Sequence, residues 1–196
     1  MSPILGIYAS QISGRLFNLV GNYDALATVT VPSGGLSSIT FAGIPQTGYT
    51  HLQLRVFAKT NRGTYGRDEF SLQFNSDTAS NYSWHTLYGD GGTAAAYGVG
   101  SDTNIDAGYI AGGAGTSMFG AGVVDILDYA NTNKYKTTRS FTGHDHNGTI
   151  AGINAIVNLN SGSWRSTSAI NSIKIGIISG TLFNEYSQFA LYGVKA

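Results

Sequence analysis

Strict alternation of apolar and polar residues is the feature that most narrows what this chain can fold into. Residues 51–59 read HLQLRVFAK, with Leu52, Leu54, Val56 and Ala58 on one parity and His51, Gln53 and Arg55 on the other. A period of two belongs to an extended strand with one buried and one wet face, because successive Cβ atoms leave a strand on opposite sides. The pattern returns in EFSLQF (69–74), INSIKIGII (170–178) and FALYGVK (189–195), with Phe70, Leu72 and Phe74 in phase and Ile173, Ile175 and Ile177 in phase. Shorter β-rich runs are ATVTV (27–31), SSITFAGI (37–44), FGAGVVDIL (119–127), YKTTRSFTG (135–143) and GINAIVNL (152–159). Turn chemistry separates them: PSGG at 32–35, NRGTYGRD at 61–68, GDGG at 89–92 and NSGS at 160–163. No long stretch carries a capped 3.6-residue apolar period. The expectation is an all-β chain: a single antiparallel β-sandwich or jelly roll of about nine or ten strands.

Two segments fit that scheme less cleanly. Residues 1–26 mix apolar residues without a period and are expected to form an N-terminal arm on the domain or on a neighbour, leaving 27–196 as the sandwich domain. Residues 89–118 are rich in Gly and Ala, and thirty structureless residues are unusual in a compact domain. Either an edge strand lies near NIDAGYI, or the segment is an extended loop that orders on another subunit.

Charge narrows the partners. The chain carries 11 basic and 11 acidic residues, a net charge of +0, and only 11% charged residues, against about 25% in ordinary soluble domains. Its polar surface is therefore made of Ser, Thr, Asn, Gln and Gly. Such a surface resists charge-driven adhesion to nucleic acid or lipid, while the missing net charge weakens repulsion between copies, which suits life in an assembly. The basic residues are scattered, the densest group being Lys134, Lys136 and Arg139, so no phosphate-tracking patch is expected. No window approaches the ~18 apolar residues of a membrane helix. The start, MSPILGIYASQISGRLF, lacks the basic leader of a signal peptide, so synthesis in the cytoplasm is expected. With no cysteine there is no disulfide framework and no thiolate chemistry.

The densest polar stretch is FNSDTASNYSWHTLYGDG, residues 74–91. A calcium loop needs oxygen ligands at alternate positions and a bidentate carboxylate, and no Glu occurs between Glu69 and Glu185. Asp77 and Asn81 are expected to bond turn backbone instead, as Asx-turn residues do. Trp84 and His85 open the next strand on opposite faces, one buried and one exposed; core is the default for Trp84, sugar stacking the sharper option. GHDHNG (143–148) holds the weak metal candidates His144 and His146, set among glycines like an exposed hairpin tip and without a third strong ligand nearby. A plain turn is the simpler reading, with a pH-responsive subunit contact at His144 as the other.

Catalytic constellations are not found. Asp125 and Asp128, at odd spacing on a strand, point to opposite faces and do not flank one bond. No serine sits in a G-x-S-x-G elbow, no phosphate loop is present, and the glycines at 112–122 do not link a strand to a helix. The expectation is no enzyme, no metal and no cofactor.

Across nearly its whole length the chain resembles one group of proteins. ILGIYASQISG, SSITFAGIP with YTHLQLR, FNSDTASNYSWHTLYGDG, GAGVVDILDYANTNKYKT, WRSTSAINSI and the closing YSQFALYGVK are similar, in the same order, to segments of tailed-bacteriophage virion structural proteins. The resemblance implies a β-sandwich on the particle exterior and brings no catalytic residues with it. GHDHNG departs from the family pattern.

Two roles follow from that resemblance. In the first, the chain is a capsid decoration (cement) protein, a homotrimer bound to the major capsid protein, whose many weak contacts sum to hold the shell. In the second, it is a host-recognition module of a tail or head fibre that binds cell-surface glycan, with Tyr49, Tyr65, Trp84, Tyr88 and Tyr97 as stacking platforms and His85 as a further interaction candidate. Aromatics on an exposed loop rim favour the second; aromatics in the sandwich or at a subunit seam favour the first. A start so close to the first strand, without a repetitive attachment segment, tilts the expectation to decoration.

Overall fold

The computed structural model describes residues 22–63, 65–113, 117–145 and 155–195 of the 196-residue chain. Among them the chain is all-β, as expected. Its strands are β1 (Tyr23–Thr30), β2 (Ile39–Ala42), β3 (His51–Ala58), β4 (Arg67–Phe74), β5 (Tyr82–Gly89) and β6 (Ala94–Asp102), then β7 (Ile105–Ala111), β8 (Gly120–Leu127), β9 (Lys136–His144), β10 (Ile156–Trp164), β11 (Ser172–Ile177) and β12 (Gln188–Val194). They form an eight-stranded sheet, β1-β12-β3-β8-β9-β10-β5-β6, and a four-stranded sheet, β2-β11-β4-β7, with antiparallel pairing throughout. The two make a β-sandwich.

Twelve strands replace the nine or ten expected, and the Gly/Ala-rich segment 89–118 accounts for part of the difference. It holds two strands, β6 and β7, whose small residues carry too little hydrophobic contrast to show a period. The NSGS stretch at 160–163 is also corrected. It is not a turn but the middle of β10, and a Cβ on Gly162 would sit 2.6 Å from the Thr138 hydroxyl. That glycine marks close strand packing rather than a bend. Of the expected arm, residues 1–21 lie outside the described residues, and β1 begins at Tyr23, ahead of the boundary at 27.

Parity decides the core on one side of the large sheet. Leu52, Leu54, Val56 and Ala58 of β3, Phe189 and Leu191 of β12 and Val124 and Ile126 of β8 are buried. They belong to one apolar cluster with Ile39 and Phe41 of β2, Phe70, Leu72 and Phe74 of β4 and Ile173 and Ile175 of β11. Each large aliphatic or aromatic side chain buried there stabilises the fold by about 1.5–3 kcal/mol. The Asx turn at the end of β4 closes this core. Asp77 accepts from the Ala79 amide (2.9 Å), the Asn81 side-chain amide (3.0 Å) and the indole N–H of Trp164 (2.7 Å), so the aspartate of the densest polar stretch performs a structural task. Asp125 and Asp128 are separate too: Asp125 meets Gln53 and Arg139, while Asp128, just past β8, meets Lys134 and His51.

On the other side of the same sheet the inner face is polar. Thr86 of β5, Thr138, Ser140 and Thr142 of β9 and Asn158 and Asn160 of β10 are all buried. Ser140, Thr142, Asn158 and Asn160 reach partners on β7, which is at the edge of the small sheet yet buried along its whole length. Thr142 Oγ1 accepts from the Tyr109 amide (3.0 Å), Ser140 Oγ donates to the Ala107 carbonyl (2.7 Å), and Asn160 Nδ2 donates to the Asp106 carbonyl (3.0 Å). Asn158 ties the set together through Thr86 Oγ1 (2.6 Å), Thr142 and Asn160. Side chains thus do for the β7 edge what a neighbouring strand would do, because buried N–H and C=O groups must be paired. Gly108 lets β7 come this close: its φ is +125°, and an added Cβ would meet the Asn158 carbonyl at 2.6 Å.

Candidate functional site

Opposite this polar inner face, the same strands carry an apolar outer one. On the outer face of the large sheet, register aligns Arg55 with Val123, Val123 with Phe141, Phe141 with Leu159, Leu159 with Leu87 and Leu87 with Ala96, one row across β3, β8, β9, β10, β5 and β6. Phe57, Ala121 and Val157 continue it one row away. Phe141 is 57% exposed, Leu87 53%, Leu159 52%, Val157 49% and Phe57 48%. Strands about 4.8 Å apart spread such a row over some 20 Å, and contiguous exposed apolar patches are often functional. Arg139, Asp125, Gln53 and His85 rim it with both signs of charge.

The expected stacking residues divide. Trp84, Tyr88 and Tyr97 come together with Tyr109, a residue the sequence reading did not single out. The Trp84 and Tyr97 rings meet edge-on at 5.6 Å, Tyr88 and Tyr97 at 6.2 Å and Tyr88 and Tyr109 at 6.1 Å, and the phenols of Tyr97 and Tyr109 are 2.9 Å apart. Arg67 lies over the Tyr88 and Tyr109 rings. His85 points the other way from Trp84, to the outer face, as the alternation requires. Tyr49 is remote, its hydroxyl bonded to Asp24 (3.0 Å). Tyr65 is exposed under the Arg62 guanidinium.

Trp84 and Tyr97 wall a cleft of about 480 Å³ between the sheets, with Glu69, Asp102 and Asp106 also lining it. Asp102 accepts the Trp84 indole N–H at 2.9 Å. Burial pushes the Asp106 carboxyl up to about 7, opposed by the Gly108 amide, which donates to it at 3.0 Å. Burial also raises Glu69, against the pull of Arg62, whose guanidinium lies 3.3 Å away. Burial thus disfavours the charged form of both Asp106 and Glu69. No sequence motif pointed to the grouping, because its members come from β4, β5, β6 and β7.

Among the described residues no cluster of three or more His, Cys, Asp or Glu has metal-holding geometry. The hairpin-tip expectation for GHDHNG is corrected at its start, since Gly143 and His144 end β9 and His144 is buried on the inner face. His146 lies outside the described residues.

No protein-family model matches the chain, and no curated protein matches it. Among solved structures it is weakly similar to a GH43 glycoside hydrolase engineered for endo-xylanase and exo-arabinofuranosidase activity (11% identity, TM-score 0.31, 85% of this chain and 36% of that one). A fructofuranosidase from Schwanniomyces occidentalis gives 8% identity and a TM-score of 0.26, over 91% of this chain and 35% of that one. A chain of sacbrood virus of honeybee gives 12% identity and a TM-score of 0.20, over 89% of this chain and 87% of that one. The chain spans about a third of the length of the two hydrolases. At these scores the likenesses carry no argument about function.

Proposed function

We propose that this chain is a structural subunit on the exterior of a tailed-phage particle, and that it decorates the head shell by laying the outer face of its large sheet on a neighbouring subunit. The observation that carries the reading is the exposed apolar row Val123, Phe141, Leu159 and Leu87 with Phe57 and Val157 beside it. The family resemblance of the sequence supplies the particle. Contact energy would come from apolar area, with each copy contributing modestly and the shell summing many copies. The near-absence of net charge fits a protein that works at high local concentration beside its own kind.

The cleft of Trp84, Tyr97, Glu69, Asp102 and Asp106 favours a second reading, recognition of a host-surface glycan. Its aromatics, Trp84 and Tyr97, lie in β5 and β6 and meet edge-on rather than on a loop rim, and this supports the first reading over the second. Copy number per particle separates them. Quantitative mass spectrometry against the major capsid protein is expected to give hundreds of copies; a handful would place the chain on a tail or a single vertex and overturn decoration.

A further inference from the structure

The four sheet edges differ in how they are protected. β1 carries Asp24, paired with Lys195 at 2.6 Å, and a bulge between Ala25 and Ala27. β2 has four residues, and β7 is covered by the side chains of β9 and β10. β6 has a bulge only at its far end, between Val99 and Asp102, and none of these devices along 94–99. It runs for nine residues, AAAYGVGSD, with no Pro, no Lys and no charge before Asp102. Among the described residues no strand or bridge pairs with its second side. Arg165 donates to the Gly100 carbonyl at 2.6 Å and ties off that end, which leaves 94–99 as bare ladder. A long, uncharged edge of this kind is a template for another strand, and most proteins blunt it.

We infer that β6 is a self-association edge: two copies pair β6 to β6 antiparallel about a twofold axis, joining their eight-stranded sheets into one. An extended strand satisfies a row of alternating N–H and C=O groups in full, and a second copy supplies one with the same uncharged, small-residue character. A strand paired antiparallel with itself is self-complementary, so a closed pair needs no other matching surface. The net charge of +0 sets no repulsion against it. The outer face gives an independent reason. The apolar row Val123–Phe141–Leu159–Leu87 ends on this edge at Ala96, so twofold pairing makes the rows of two copies continuous and doubles the contact surface. The inference concerns an edge, the proposed function a face, so each fails separately.

The test is sedimentation of the full chain and of two edge variants. Ala96 is exposed, and Gly100 has open space where a Cβ would be, so the double substitution Ala96→Lys, Gly100→Lys adds charge to the edge without disturbing the core. Thr28→Lys, on the opposite edge β1, is the control. The expected result is a dimer for the wild type and for Thr28→Lys, and at least tenfold weaker association for the β6 variant, with its circular dichroism unchanged and its melting equal to that of the wild type diluted to monomer. In the wild-type dimer, amides of 94–99 exchange slowly, and in the variant fast. A wild type that stays monomeric, a trimer, or a β6 variant that remains dimeric overturns the inference. So does dissociation by Phe141→Asp in place of the edge variant, which would assign association to the face.

Discussion

One sheet is built in two opposite ways. In β12, β3 and β8 the inner residues are Phe189, Leu191, Leu52, Leu54, Val56, Val124 and Ile126, and the outer ones include Gln53, Arg55 and Asp125. In β9, β10 and β5 the inner residues include Thr138, Ser140, Thr142, Asn158, Asn160 and Thr86, and the outer ones include Phe141, Val157, Leu159 and Leu87. The first half is held by apolar burial. The second is held by a saturated hydrogen-bond seam that closes the edge of β7, where each net bond contributes about 1 kcal/mol and each broken one costs more. Folding alone explains the polar interior, since β7 needs partners. It does not explain why the outward residues are large and apolar, when Ser or Thr would extend equally well. The contact with a neighbouring subunit proposed above would account for it.

The largest expected effect comes from breaking the apolar half. Leu54→Ala should cost about 2–5 kcal/mol in urea unfolding, because its site is fully enclosed and leaves a cavity. In the polar half, Asn160→Ala removes the side-chain donor to the Asp106 carbonyl and the acceptor of the Thr86 O–H and should cost about 2 kcal/mol. Asp77→Ala leaves the Trp164 indole N–H and the Ala79 amide unpaired and should cost about 1–2 kcal/mol; loss of an activity with unchanged stability would contradict its structural role. Asp106 sharpens the comparison through pH. Its carboxyl moves from the ordinary 3.8 to about 7 on folding, so between those values the folded chain holds a proton that the unfolded chain has lost. Its contribution to stability is therefore greatest at low pH and falls as pH rises through that window. Asp106→Asn should flatten this slope and gain about 1 kcal/mol at pH 8 relative to the wild type, read from melting temperatures at pH 5 and pH 8. The smallest effect belongs to the outer face, where Leu159→Ala should change stability by no more than about 0.5 kcal/mol. That near-zero value, set against Leu54→Ala, is what separates a contact residue from a core residue.

The sequence made the strands legible where parity and hydrophobic contrast coincide, as in β3, β4 and β11, and it placed Asp77 in an Asx turn. It leaves β6 and β7 unresolved, because Ala and Gly give no contrast on either face, and NSGS at 160–163 reads as a turn because those residue types are common in turns. Parity in YKTTRSFTG already set Phe141 against Thr138, Ser140 and Thr142. Which set faces inward depends on β7 crossing that face, and this is a long-range fact no local window holds. The aromatic cleft is half legible: Trp84 and Tyr97 are stacking candidates in the sequence, but Glu69, Asp102 and Asp106 reach it only through sheet pairing and packing.

The most direct test of the central claim is carbene footprinting of the outer face in the free chain and in assembled particles. The account predicts heavy labelling of Leu87, Phe141 and Leu159 in the free chain and strong protection of the same residues in the particle, with Tyr186, exposed elsewhere, labelled alike in both. Equal labelling of Phe141 and Leu159 in both states would contradict it.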